Sequence, residues 1–155
     1  SRGCGGRQVY LCADAEEYQN RLQSISPDTA VVQPVCDTPG RDVRCYMLGG
    51  RMVQAMERYS EGDFRSNFGL NGLARPYALP DDMRAQAERA ARLLRADFVG
   101  VDFIFHQGHW LLNEIEDAVG TLMLYQFTSL QIVEDYMAWI LERLAGRAVY
   151  PAADQ

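Results

Sequence analysis

The run Phe98-Val-Gly-Val-Asp-Phe-Ile-Phe105 is apolar, rich in β-branched and aromatic residues, and broken by a single acid, Asp102. Gln107-Gly-His109 separates it from a second such run, Trp110-Leu-Leu-Asn-Glu-Ile-Glu116. Two strand-like runs flanking a glycine turn predict a β-hairpin. Side chains alternate faces along a strand, so Glu114 and Glu116 share one face while Asn113 and Ile115 take the other. Register then decides the chemistry. A three-residue loop centred on Gly108 sets Asp102 opposite Glu114, with Glu116 opposite Gly100, whereas a two-residue loop pairs Asp102 with Asn113. Carboxylates gathered on one face repel unless a cation or protonation relieves them, and hard oxygen ligands suit magnesium shared with phosphates. The same spacing also suits a solvated sheet face. An acid inside a buried strand needs a partner in either case.

The rest of the chain supplies elements to surround that hairpin. Val9–Ala13 reads as a short strand, and Asp14 with Glu17 three residues on reads as the N-cap of a helix to about Gln23. Ala30–Val35 reads as a further strand. Arg41–Leu48 and Arg51–Arg58 form a second hairpin about Gly49-Gly50, a dipeptide suited to positive φ. Residues 59–79 lack apolar periodicity and read as one long loop, a length usually kept for function. Leu79-Pro-Asp81 opens a helix to about Arg95, and Ser129–Leu144 closes the chain as an amphipathic helix. In the latter, Leu130, Val133, Tyr136, Met137, Ile140, Leu141 and Leu144 read as core-facing. The order predicts an α+β fold, an antiparallel-rich mixed sheet with helices packed on one side.

Composition narrows the function classes. The chain has 155 residues with 48% hydrophobic and 23% charged content, ordinary for a globular domain. A formal net charge of -6 argues against general nucleic-acid or anionic-membrane binding. No apolar run reaches the roughly 18 residues of a membrane span, and no signal-peptide stretch opens the chain, so the expected location is the cytoplasm. Cys4, Cys12, Cys36 and Cys45 lack metal-binding spacing and read as reduced thiols. His106 and His109 read as exposed turn residues. All 15 basic residues are arginine. The loop Glu61-Gly-Asp-Phe-Arg-Ser-Asn67 places an arginine, a hydroxyl and an amide side by side, all competent toward phosphate oxygens, and Arg58 adds a second positive charge nearby.

Four segments in order, Gly40-Arg-Asp-Val-Arg44, Ala55-Met-Glu-Arg58, Glu61-Gly-Asp-Phe-Arg-Ser-Asn67 and Val99-Gly-Val-Asp102, resemble the C-terminal half of an ATP-grasp ligase, nearest to the RimK-type branch. The resemblance runs from Gly3 to about Gly120. It implies an enzyme that joins a carboxylate to an amine through an acyl phosphate formed from ATP. By the same resemblance, magnesium, with manganese as an alternative, is held by Asp102, Glu114 and Glu116. Arg65, Ser66 and Asn67 match the nucleotide-contacting segment, with Arg58, Arg65 and Asn67 in catalytic roles. Asp42 matches an acid near the sugar, and Pro34 and Val35 fall at the hinge that reads adenine. The implied partners are ATP and small-molecule or peptide carboxylates and amines, with homo-oligomerisation left open.

Departures from the family pattern are concentrated near the site. Glu116 stands where the family usually has Asn, and Asp117-Ala-Val-Gly120 replaces a small-residue and Pro-Gly turn. Pro34 cannot donate a backbone N–H, so the adenine donor falls to Val35 or Cys36. Gly3-Cys-Gly-Gly-Arg-Gln8 resembles the end of a phosphate-covering glycine loop, with Gln8 at a position usually filled by Gly. The family's phosphate-binding lysines have no counterpart. The resulting expectation is a fragment: residues 1–35 from the small lobe, 36–150 as the C-terminal lobe carrying the magnesium-nucleotide site, and a tail at 151–155, inactive by itself. A nucleotide-binding module without chemistry and an interaction domain using Tyr125, Phe127 and Trp139 are the competing readings.

Overall fold

The molecule is represented by a computed structural model that describes residues 8–25, 30–68 and 72–147. Its elements in chain order are α1 (Ala15–Ser24), β1 (Arg41–Leu48), β2 (Arg51–Tyr59), β3 (Leu73–Pro76), α2 (Asp81–Leu94), β4 (Phe98–His106), β5 (His109–Glu116), α3 (Leu122–Phe127) and α4 (Ile132–Leu144). The five strands form one sheet in the order β3-β2-β1-β4-β5, with every neighbouring pair antiparallel.

Both hairpins turn through two residues with positive φ, Gly49 (58°) and Gly50 (76°) in one, Gln107 (50°) and Gly108 (80°) in the other. Two positive-φ residues match the right-handed twist of the flanking strands. Each hairpin then shifts register by one residue. Tyr46 pairs with Gln54 but Met47 with Met52, leaving Val53 as a bulge, and Phe103 pairs with Leu112 but Asp102 with Glu114, leaving Asn113 as another. The short loop therefore coexists with the Asp102–Glu114 pairing that a three-residue loop predicts. The bulge supplies the extra residue, a common device beside functional sites.

Helices cover both faces of the sheet, where the sequence suggested one. Val43, Cys45, Met47, Val99, Val101 and Phe103 pack against Met83, Ala87 and Ala91 of α2. On the opposite face Tyr46, Met56 and Ala74 meet Val119, Met123 and Leu124 around α3, and Ile132 at the start of α4. The alternation is as strict as the pleat demands, with odd positions of β1 and β4 going to α2 and even positions to the other side. The second layer includes α3, a short helix ahead of the one expected from 129 to 144; Thr128 ends it, and α4 starts three residues later than expected.

The rotation of α4 also departs from expectation. Val133, Met137, Leu141 and Leu144 are exposed rather than core-facing, while Leu130, Tyr136 and Ile140 are partly covered. Trp139 explains the difference. Its indole lies against Gly49, where a Cβ would come within 2.7 Å of the ring, and its Nε1 donates to Asp97 Oδ1 at 3.0 Å. That docking turns Ile132 and Tyr136 inward, and Tyr136 stacks on Phe98 at 5.3 Å between centroids.

The N-terminal region holds less structure than expected. Asp14 caps α1 by accepting from Glu17 N at 2.8 Å, and Glu17 reaches back to Ala13 N at 2.9 Å. That reciprocal pair satisfies two donors at the helix start. Residues 9–13 and 30–35 are not strands, because no partner strand among the described residues completes their hydrogen bonds. The glycine segment at 3–7 and the tail at 151–155 lie outside the described residues, as does Cys4. Cys12, Cys36 and Cys45 are free thiols. Within 59–79, β3 pairs with β2 and buries Ala74, so the stretch is shorter as a loop than its sequence suggests.

Candidate active site

On the even face of the sheet, charge is concentrated toward the end away from the Gly49-Gly50 turn. Asp42 faces Arg58 across β1 and β2, and Arg44 faces Asp102 across β1 and β4. Arg58 donates Nε to Asp42 Oδ1 at 2.7 Å and Nη2 to Asp42 Oδ2 at 2.5 Å, and its Nη2 also reaches Asp102 Oδ2 at 2.7 Å. Arg44 grips the same Asp102 with Nε on Oδ1 at 2.8 Å and Nη2 on Oδ2 at 2.6 Å. All four side chains are buried. Paired forks of this kind are what permits charge inside a sheet, since an unpaired ion there would cost several kcal/mol.

Burial by itself would raise the Asp102 carboxyl. The Arg44 and Arg58 guanidiniums overturn that and hold it below the usual range. The Asp42 and Asp102 carboxylates in turn lift Arg58 against the desolvation that would lower it.

Glu114 and Glu116 complete the face. Glu114 pairs with Asp102 and Glu116 with Gly100. Gly100 matters because of what it lacks: a Cβ there would meet Arg44 Nε at 3.3 Å and Val119 Cγ2 at 3.0 Å. The vacated space lets Arg44 extend Nη1 to within 2.5 Å of Glu116 Oε2. That oxygen is buried and makes no hydrogen bond, so the contact is an ion pair off the N–H axis. The Glu114 carboxyl is raised, first by desolvation and then by the Asp102 charge, with Glu116 adding to it. Two guanidiniums thus stand against four carboxylates.

Tyr46, next along the same face, is buried and donates its hydroxyl to Gly120 O at 2.8 Å, which ties the turn after β5 to the sheet. Burial chiefly raises this phenol, to about 12.

The loop from Ser60 to Asn67 is docked beside this end of the sheet. Gly40 N donates to Phe64 O at 2.7 Å and Ser60 N to Gly40 O at 2.8 Å. Gly40 (φ 77°) allows the approach, since a Cβ would lie 2.5 Å from Asp63 O. Arg65 folds back on Asp63 through Nη2–Oδ2 at 2.7 Å and its own backbone N–H at 2.9 Å. The contact holds the Asp63 carboxyl down at about 2. Ser66 and Asn67 are half-buried, and their carbonyls lie where a Cβ on Gly72 would clash, at 2.7 and 2.8 Å. Pro34 and Val35 lie in an exposed segment without regular secondary structure. Its continuation is clasped to the β4–β5 turn, with Asp37 N donating to His106 Nδ1 at 3.2 Å and Gln107 N to Asp37 Oδ2 at 2.8 Å. His106 is therefore a structural acceptor rather than a plain exposed turn residue, while His109 is exposed.

The structure thus brings together Asp42, Arg58, Asp102, Glu114 and Glu116, with Arg65, Ser66 and Asn67 on a separate loop and Pro34 and Val35 apart. Arg44 carries no role in the sequence reading, although Asp42-Val-Arg44 alternates two opposite charges through an apolar strand. That signal points to a charged face and does not name the partner across the sheet. No group of three or more Asp, Glu, His or Cys side chains among the described residues is arranged to hold a metal ion. The carboxylate oxygens suit a hard divalent cation in type and register, and the excess of negative charge asks for one, but Arg44 closes Asp102 and Glu116 on itself.

Residues 1–140 match the RimK-like ATP-grasp domain, and the chain belongs to that family. A relative named "Probable alpha-L-glutamate ligase" from Parasynechococcus marenigrum is 31% identical over 154 residues, covering 92% of this chain and 33% of its own length. "Ribosomal protein bS6--L-glutamate ligase" from Escherichia fergusonii is 30% identical over 127 residues, covering 81% and 42% respectively. The ATP-grasp ligase PsnB, solved with minimal precursor, Mg and ADP, shares the fold with a TM-score of 0.50 at 20% identity, over 64% of this chain and 33% of its own. The chain spans less than half the length of each of these proteins.

Proposed function

We propose that this chain supplies the magnesium-nucleotide face of an ATP-dependent carboxylate–amine ligase whose amine is glutamate or a related amino acid. The observation that carries the proposal is the even face of the sheet, where Glu114 opposes Asp102, beside Glu116, with two fewer positive than negative charges. Asp102, Glu114 and Glu116 would hold magnesium, which supplies neutralisation of the nucleotide phosphates. The ligase reaction has two stages. An acid's carboxylate oxygen attacks the γ-phosphorus of ATP, ADP departs, and the amine then attacks the acyl carbon, losing a proton as inorganic phosphate leaves.

The chain's residues contribute positioning and charge. Arg58 holds Asp42 in place and keeps Asp102 ionised, Arg65 with Ser66 and Asn67 offers phosphate-directed donors from the docked loop, and Val35 or Cys36 supplies the adenine donor. Tyr46 fixes the turn beside the acids. The acid substrate is of small-molecule or peptide type, and the site is assigned to the cytoplasm. No described helix is long and apolar enough to cross a membrane.

A second reading, a nucleotide-binding module without chemistry, is favoured by one observation: Arg58 is consumed by Asp42 and Asp102 and so is withheld from a transferring phosphate. Hydroxylamine trapping separates the two. Incubating the longest native form of the protein with ATP, magnesium, glutamate and candidate acids should yield hydroxamate, and Asp102→Asn should abolish it. Nucleotide binding without hydroxamate selects the second reading. The 155-residue chain alone is expected to bind without turnover.

A further inference from the structure

The arginine that closes the acid cluster is placed where a cation would otherwise go. Arg44 sits at the centre of the sheet on β1, and its guanidinium joins Asp102 on its own cross-strand pair to Glu116 one strand further out. Its two attachments differ in kind. Toward Asp102 it makes two hydrogen bonds, 2.8 and 2.6 Å, to a carboxylate 1% exposed. Toward Glu116 it makes an ion pair without hydrogen-bond geometry, to a side chain 35% exposed. Gly100 is what makes the reach possible, because any side chain there would push on Arg44 Nε and Cδ. Glu114 lies on the same face, opposite Asp102 and two residues from Glu116.

We propose that Arg44 is the resident counter-cation of the nucleotide-free site: it clasps Asp102 permanently and Glu116 provisionally, and a divalent cation enters by exchanging with its Glu116 contact. The proposal rests on the metal reading of Asp102, Glu114 and Glu116 given above. The strength of the two contacts sets the order of exchange. Breaking the Asp102 fork would expose a buried carboxylate to loss of its partner, whereas Glu116 can turn toward solvent and a metal at little cost. Arg44 then stays beside the bound cation as a like charge. Metal alone should therefore bind weakly to the native protein, and a nucleotide's phosphates should add the negative charge that makes entry favourable.

The test is Mn²⁺ binding by electron paramagnetic resonance and calorimetry, without nucleotide, on the native chain, Arg44→Met and Arg44→Lys. The expected result is at least tenfold tighter Mn²⁺ binding for Arg44→Met, with Arg44→Lys between it and the native protein. A second measurement needs no variant. In protein carrying ¹⁵N-labelled arginine, Mg²⁺ should free rotation at Arg44 Nη1 while leaving the Arg44 Nε–H signal bonded to Asp102. Unchanged or weaker Mn²⁺ binding in both variants, absence of binding in all three proteins, or an Nη1 signal indifferent to Mg²⁺ would each overturn the proposal. Glu114→Gln distinguishes the two levels. If it binds Mn²⁺ as tightly as native protein, the metal reading itself is wrong. If it weakens binding while the arginine variants do not strengthen it, only the role of Arg44 falls.

Discussion

Replacing Arg58 by Met keeps the apolar stem and removes the guanidinium from the middle of three strands. Asp42 then loses both of its bonds, 2.7 and 2.5 Å, and Asp102 loses the one at 2.7 Å while keeping its fork with Arg44. Breaking a buried ion pair from one side costs about 3–5 kcal/mol. The retained Arg44 fork and the slight exposure of Asp42 put the expected loss near the lower end, about 3 kcal/mol at neutral pH. Urea unfolding followed by circular dichroism measures it, as a drop in midpoint at unchanged m-value.

The pH dependence supplies an internal check. Asp102 titrates below its ordinary value in the folded protein, so its contribution is complete above the unfolded value, 3.8, and disappears as pH falls through the folded one. With Arg58 gone the depression shrinks, the acid-side loss still begins near the unfolded value but is complete at higher pH, and the two proteins converge as the medium is acidified. A loss under about 1 kcal/mol at neutral pH, or a difference that does not narrow toward pH 3, would refute the claim that this guanidinium holds the face together.

Three further outcomes are expected. Gly49→Ala should lower the melting temperature by several degrees, because φ of 58° disfavours a side chain by about 1–2 kcal/mol and the new methyl meets the Trp139 ring. In combination with Trp139→Ala part of that loss should vanish, and strict additivity of the two melts would count against the contact. Gln107→Asn should stabilise by about 0.5 kcal/mol, since Asn tolerates the left-handed conformation that Gln107 adopts at φ 50°, and chemical denaturation reads the gain. Glu114→Gln should raise stability at neutral pH and leave it unchanged well below pH 4. The native carboxyl, raised above its usual value of 4.5, begins to penalise the fold as pH climbs through that usual value and does so in full above the raised one.

What could be read without coordinates was local. The Asp14–Glu17 cap, the start of α2 at Pro80-Asp81 and both glycine turns follow from chemistry within a few residues, and all are present. The shared face of Glu114 and Glu116 follows from alternation alone. The partner of Asp102 could not be read, because Arg44 lies 58 residues away and reaches it only once β1 is the central strand. The bulges at Val53 and Asn113 were equally hidden, since nothing in the neighbouring residue types demands an extra position. The apolar periodicity of α4 was plain, but which arc turns inward depends on Trp139 finding Gly49. Strand-like composition at 9–13 and 30–35 was insufficient because a strand is completed by its neighbour.

The unpaired residue at Asn113 has a practical corollary. It stands between two parts of the β4–β5 arm, an exposed bend at Gln107-Gly108 that is tied to Asp37 and a base where the acids face one another. A slack position between them can absorb a change in length made at the tip. A short epitope or fluorophore-binding peptide grafted into that bend would then report on the molecule in cells while the acids, one strand-length away, keep their alignment.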